Sequence, residues 1–350
     1  MGFDEYRRLY GMATFPDRAA ITYDDNNASP RVGQRPKGVF LGSTTARACG
    51  KLSIEVMYVR RLLAVIVVFL ASVSAGAGAK VLTVPSSLTP TIQAAVDSAA
   101  SSGDVIQIAA GLYSETGIVV NAKNVTIEPI MGGTVSLVYS SGSGTGITMR
   151  NTTGGTLLNL IFRGYETAVS LESSTATVQF VTAKACGRGV AVSGSGGAPT
   201  VWYCVADSCA TGIEVQGGTV TLQNETIVGC STGVSFLGGS ATLSRTIVYR
   251  CQTGVQCGGG GSILSCNDYW VNGTDYSGCA AATNDFYLDP KFCFWASSAG
   301  PYYLHSTSPC FVTSLNPCGV KIGAFTGTLP GCSGAAAQES SWGAIKAIYR

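Results

Sequence analysis

The sequence predicts an all-β solenoid, one domain wound from short parallel strands stacked coil on coil. Three observations carry this. A pentapeptide recurs as Cys-Gly-Arg-Gly-Val at 186–190, Cys-Ala-Thr-Gly-Ile at 209–213, Cys-Ser-Thr-Gly-Val at 230–234 and Cys-Gln-Thr-Gly-Val at 251–255. Its cysteines step by 23, 21 and 21 residues, and a nearly fixed period of this kind marks a stack of repeated units. Within each unit, apolar residues alternate with polar or small ones, the period of a strand with one buried face.

The repeat forms columns. Tyr165 and Ser143 extend the cysteine slot upstream. Four residues past each slot stand Ile147, Val169, Val190, Ile213, Val234 and Val255; six past it stand Met149, Leu171, Val192, Val215, Phe236 and Cys257. Eight before it come Leu157, Val178, Val201, Leu222 and Leu243, with Leu264 in the following coil. Glycine-rich corners separate the strands at Gly217-Gly218, Gly238-Gly239 and Gly258 to Gly261. An antiparallel meander would not repeat residue type slot by slot. In-register parallel stacking does, because each residue lies about 4.8 Å from its counterpart. Six or seven complete coils then make a rod of about 30–40 Å.

The segment Leu222-Gln-Asn-Glu-Thr-Ile-Val-Gly-Cys-Ser-Thr-Gly-Val-Ser-Phe resembles a coil of the right-handed parallel β-helix proteins of the pectin lyase-like superfamily. Their coils often carry Asn where this chain has Cys. The resemblance covers roughly residues 81–330 and implies a right-handed parallel β-helix with caps at both ends. That scaffold hosts lyases, hydrolases, esterases, adhesins and proteins without known activity, so the resemblance implies a fold rather than a reaction.

In chain order, residues 1–56 are rich in arginine and lack periodicity, and are expected to be an over-extended, disordered upstream segment. Met57-Tyr-Val-Arg-Arg, the apolar run Leu62 to Val73 and the small residues ending at Ala77-Gly78-Ala79 read as a secretory signal peptide over 57–79. The apolar run is too short for a membrane span, which needs about 20 residues. Removal at Ala79 changes the charge. The whole chain is formally +2, but from Lys80 onward it holds 12 Lys and Arg against 14 Asp and Glu, a net −2. No basic excess is left to recruit nucleic acid. Twelve of the 13 cysteines follow Lys80. The expectation is a secreted, periplasmic or envelope-associated monomer in which disulfides are allowed.

The solenoid spans 80–332. Thr89-Pro90 is expected to open a capping helix whose apolar face is Ile92, Ala95, Val96 and Ala99. The run Thr-Ile-Gln-Ala-Ala-Val-Asp through Gly-Leu-Tyr-Ser-Glu resembles the opening of pectin methylesterases and of periplasmic β-helix proteins, and the later esterase motifs do not follow it. At 272–332 the period lapses. Cys279, Cys293, Cys310, Cys318 and Cys332 are candidates for disulfides in a loop-rich C-terminal cap, with pairing unreadable from sequence. Residues 333–350 form a linker and a short amphipathic helix, either docked on the cap or serving as a sorting or partner-binding tag.

Three sets of residues could carry chemistry. Cys186, Cys209, Cys230 and Cys251 form a stack readable as buried thiols, as coil-to-coil disulfides of poor geometry, or as metal ligands. The metal reading is the weakest: His305 is the only histidine and lies in the cap. No metal or other cofactor is expected otherwise.

Two residues before each slot runs a column expected to be exposed: Arg163, Lys184, Asp207, Val228, Tyr249 and Trp270. Lys184 as base, Arg163 as carboxylate clamp and an aromatic platform would suit a uronate lyase, with Ca²⁺ needed only in that case. The competing account is a solvated charge ladder of little energetic weight. The third set is an outward patch of Trp202, Gln179, Gln223 and Glu225, suited to holding carbohydrate without cleaving it. A polysaccharide hydrolase needs a carboxylate pair, and Glu214 and Glu225 are isolated in the repeat. The sequence therefore favours binding of an extended polysaccharide or envelope polymer. A uronate lyase and a structural surface spacer or adhesin are the alternatives.

Overall fold

A computed structural model describes residues 78–100, 102–293 and 302–325. The chain divides between Gly78 and Ala79, and the described residues from Ala79 onward belong to the second unit. The upstream segment 1–56, nearly all of the signal segment 57–79, Cys332 and the C-terminal helix lie outside the described residues.

The second unit is an all-β parallel solenoid of about nine turns. Its strands form three parallel sheets of nine, eight and eight strands, so the stack is taller than the six or seven coils expected. The shortfall lies at the N-terminus, where Val81–Val84, Ser102–Ile108 and Asn124–Pro129 already belong to the first sheet. Those early turns vary in length, and irregular spacing hides a repeat.

One turn shows the path. Thr200–Trp202 lies in the first sheet, Val205–Asp207 in the second and Thr211–Val215 in the third, before Thr219–Gln223 returns to the first. The columns read from sequence are the register. Ile147, Val169, Val190, Ile213, Val234 and Val255 pair in succession in the third sheet. Leu157, Val178, Val201, Leu222, Leu243 and Leu264 do so in the first. These side chains fill one continuous core, and each fully buried Val, Leu or Ile contributes roughly 1.5–3 kcal/mol.

The corners are sharper than glycine content suggests. Between the first and second sheets the chain turns on single residues with positive φ: Asn159, Phe180, Tyr203, Asn224, Arg245 and Cys266, all near φ 54–59°. Between the second and third sheets it turns on Gly164, Ala185, Ser208, Gly229, Arg250 and Val271. A left-handed non-glycine residue costs about 1–3 kcal/mol and persists only where its surroundings over-determine it. Here the hydrogen bonds of adjacent coils do so. Glycine is placed as expected only at the third corner, as at Gly218, Gly239 and Gly260.

A short helix, Ile92–Ser98, packs Ile92, Ala95 and Val96 into the core. Its N-cap is Thr91, whose hydroxyl accepts from the Ala94 amide at 3.0 Å. The expected cap, Thr89, instead donates to the Thr83 carbonyl. Glu115 accepts from the Ile92 and Gln93 amides at 2.9 and 3.2 Å, placing an anion at the helix start. Lys123 donates to the Val96 and Ala99 carbonyls at 2.7 and 2.9 Å, placing a cation at its end.

The C-terminal segment is loop-rich and disulfide-linked, and much of it packs on the side of the solenoid. Residues 286–293 and 302–325 lie across the outer face of the second sheet. Phe286, Phe292, Tyr302, Leu304, Cys310, Ile322 and Ala324 form a second apolar cluster with Val205, Val228, Ile247 and Tyr249. Asn224 donates to the Lys321 carbonyl at 3.1 Å, the Ala324 amide to Thr226 Oγ1 at 2.8 Å and the Gly323 amide to the Arg245 carbonyl at 2.8 Å. The segment is a strap, anchored on several coils.

Candidate functional site

The second-sheet column Arg163–Lys184–Asp207–Val228–Tyr249–Trp270 is in register throughout. The strap decides its exposure. Arg163 is exposed, but Asp207 and Tyr249 are each only 6 % accessible and Val228 is 8 % accessible, so the expected open column is closed over its later half. Trp270 is half-buried against the strap cluster. Tyr249 packs edge-on to Phe292, ring centroids 5.6 Å apart.

Lys184 Nζ lies 2.7 Å from Asp207 Oδ2. Burial of Asp207 disfavours its charge, but hydrogen bonds from Lys184, Tyr302 and Ser208 outweigh this and hold its carboxyl below the ordinary value. Lys184, the expected lyase base, is thus ion-paired with Asp207 at the strap's edge, while Arg163, the expected carboxylate clamp, is exposed. Among the described residues no group of three His, Cys, Asp or Glu side chains is arranged to hold a metal ion.

The four ladder cysteines are buried free thiols. The amide following each one bonds the carbonyl of the slot residue one coil earlier: Gly187 to Tyr165, Ala210 to Cys186, Ser231 to Cys209, Gln252 to Cys230. Their sulfurs lie against backbone carbonyls, as at Cys209 Sγ, 3.7 Å from Ala183 O and from Asp207 O. Hydrogen bonding to the Cys209 thiol and burial push Cys186 up; bonds with Cys209 and Cys251, then burial, do the same to Cys230. They fill space and contribute weak hydrogen bonds. The next occupant of the slot is Asn272, which accepts from the Cys251 amide at 2.9 Å and donates to the Val248 carbonyl at 3.0 Å.

Glu225 is corrected from surface to interior: it is fully buried. It belongs to a second ladder that bounds the second sheet on its other side. The Cys204 amide donates to Glu225 Oε2 at 2.8 Å, the Glu225 amide to Thr246 Oγ1 at 3.3 Å, the Thr246 amide to Asn267 Oδ1 at 3.0 Å and the Asn267 amide to Asp285 Oδ1 at 2.8 Å. The signal was present in the 21-residue steps from Cys204 through Glu225 and Thr246 to Asn267, but a polar residue in a strand repeat reads as outward-facing. Burial raises the Glu225 carboxyl well above its ordinary value, against the lowering effect of backbone hydrogen bonds from Cys204 and Gln223. Its Oε1 is buried without a partner among the described residues, beside a cavity of about 10 Å³ lined by Cys204, Ala206 and Ile227, about the lower limit for one water.

The disulfide candidates also move. Cys279 pairs with Cys257 and Cys318 with Cys266, each joining a later cysteine to a strand-stack residue rather than to another cap cysteine. Cys293 is disulfide-bonded. Cys310 is a buried free thiol whose Sγ lies 3.2 Å from Asp268 Oδ2.

Asp268 also accepts from the Leu288 amide at 3.1 Å, so it pins the strap at two points. Burial pushes its carboxyl up to about 7, against the lowering effect of those two hydrogen bonds. The folded state therefore holds this proton more tightly than the unfolded chain. The stabilisation is full below the ordinary value near 3.8 and is lost as pH rises through about 7. Strap protection against protease is expected to weaken between pH 5 and pH 8, and Asp268→Asn should flatten that dependence. An unchanged slope in the variant would assign the titration elsewhere.

The first sheet carries the remaining candidate. Gln179, Trp202 and Gln223 are consecutive partners on its outer face, each half-buried. At the adjoining corner Phe180 and Tyr203 stack, ring centroids 5.3 Å apart with planes 16° from parallel. The Trp202 indole N–H is buried with no partner among the described residues. Among the described residues no helix is long and apolar enough to cross a membrane. No protein-family model matches the chain, and no curated protein matches it either.

Proposed function

We propose that the chain is an exported solenoid that binds an extended glycan on its outer surface without cleaving it. The observation that supports this most is the in-register row Gln179–Trp202–Gln223, flanked by the stacked Phe180–Tyr203 pair. An aromatic face between two amides suits a sugar ring: the ring covers C–H groups and the amides meet hydroxyls. The uronate-lyase reading is disfavoured because Lys184 is paired with Asp207 and the strap buries the later column. Export draws support from the disulfides, which persist in oxidising compartments, and from the signal segment read over 57–79.

A glycan array probed with protein starting at Lys80 tests the proposal. Binding is expected, and Trp202→Ala should lower affinity at least tenfold without shifting the melting temperature by more than a few degrees. A silent array would overturn binding in favour of a structural spacer. A rise in ultraviolet absorbance on incubation with acidic polysaccharide would restore the lyase.

A further inference from the structure

The outer face of the first sheet carries an unbroken column of threonines. Thr126, Thr156, Thr177, Thr200, Thr221 and Thr242 pair in succession from coil to coil. All six are half-buried, and none of their hydroxyls has a hydrogen-bond partner among the described residues. The row Gln179–Trp202–Gln223 runs beside them, two residues further along the same strands.

Beyond the Thr126 strand, which carries Glu128 on the same side, this face is also uncharged. From Thr156 to Ser265 its outward positions are Thr156, Leu158, Thr177, Gln179, Thr200, Trp202, then Thr, Ser, Gln, Gly and Ile residues of the last three strands. The ion pairs lie on the other two sheets: Lys184–Asp207 on the second, and Arg150–Glu172 and Arg188 with Glu214 on the third. A chain bearing a carboxylate on every unit would have to shed its hydration here with no cation to compensate. A neutral chain meets hydroxyls and amides that can replace the water it loses.

The spacing favours a polymer. Coils repeat at about 4.8 Å along the solenoid axis, close to the advance of one hexose in an extended chain. A ligand running parallel to the axis therefore meets a hydroxyl close to each unit over a few coils, and the ring of Trp202 once.

Resting on the glycan-binding reading above, we propose that the ligand is a neutral, extended hexose polymer lying along the threonine column of the first sheet. Recognition is by hydroxyl and amide hydrogen bonds with one aromatic contact. It is consequently insensitive to salt, unlike binding of a polyanion to cations.

The test is affinity electrophoresis of the protein starting at Lys80 through gels containing a soluble β-glucan, a mannan or polygalacturonate, followed by titration calorimetry at low and high salt. The wild type should be retarded by a neutral polymer and not by polygalacturonate, with affinity changing less than twofold with salt. The triple variant Thr177→Val, Thr200→Val, Thr221→Val keeps the β-branched shape and should lose at least tenfold in affinity while its melting temperature holds. Thr221→Lys is a second variant, which should also weaken the neutral ligand. Preference for polygalacturonate, salt-sensitive binding, or neutral binding indifferent to both variants would overturn the threonine track while leaving glycan binding standing. Retardation by none of the polymers, together with a silent array, would overturn both.

Discussion

Replacing Cys266 and Cys318 with serine is expected to free the strap. The bond spans 52 residues, a loop whose closure is worth about 4 kcal/mol. It is a covalent link holding the strap's far end to the solenoid. Without it the segment keeps its apolar contacts with Val205, Val228, Ile247 and Tyr249, but its unfolding gains chain entropy. Limited proteolysis should cut within 302–325 at least a hundredfold faster in the variant. A hydrophobic dye should report the uncovered face, since a bare apolar patch of this kind binds such probes or a second chain. The glycan binding proposed for the first sheet should persist, because Gln179, Trp202 and Gln223 lie outside the strap cluster. Protection equal to wild type would show that packing alone holds the strap. Loss of all cooperative unfolding would show instead that the strap is part of the solenoid's folding unit.

Gly212→Ala should produce a comparable loss in the body of the solenoid. A β-carbon built there lies 2.5 Å from the Gly233 carbonyl oxygen and 2.8 Å from a methyl of Ile227. The same inward position is glycine at 189, 233 and 254, the fourth residue of each recurring pentapeptide. Each coil is bonded to its neighbours above and below, so the backbone cannot move aside locally. Overpacking of this kind costs about 3 kcal/mol, which in a domain of this size lowers the melting temperature by roughly 6–12 °C. Gly196→Ala is the control, since no atom lies within 4 Å of a β-carbon placed there. If the two variants melt together, the recurring glycine serves some end other than close packing of coils.

The pentapeptide thus has a physical reading. Cysteine is small and apolar enough for the slot, and glycine is needed where the third sheet begins against the second. The hydrophobic columns were legible because stacking imposes one environment on each slot, and like environments select like residues. The corners were less legible. Arg245, Phe180 and Val271 are not residues that announce a left-handed turn, yet neighbouring coils force it on them. Glu225 is misleading for a related reason. A carboxyl in a polar slot reads as solvent-facing, whereas here it is buried and continues a backbone hydrogen-bond ladder inside the coil.

What the amino-acid sequence determined by itself is local and periodic: where each strand lies, which side chains face inward, and which residue stacks on which. Those follow from neighbours one period apart, a relation any repeat displays. Which outer face stays open was decided only by the tertiary structure. The strap has no period, and its docking on Thr226 and Asp268 joins residues 98 and 42 positions apart through an irregular path. Its effect on the candidate sites was decisive: it covered the later half of the second-sheet column and left the threonine column of the first sheet uncovered.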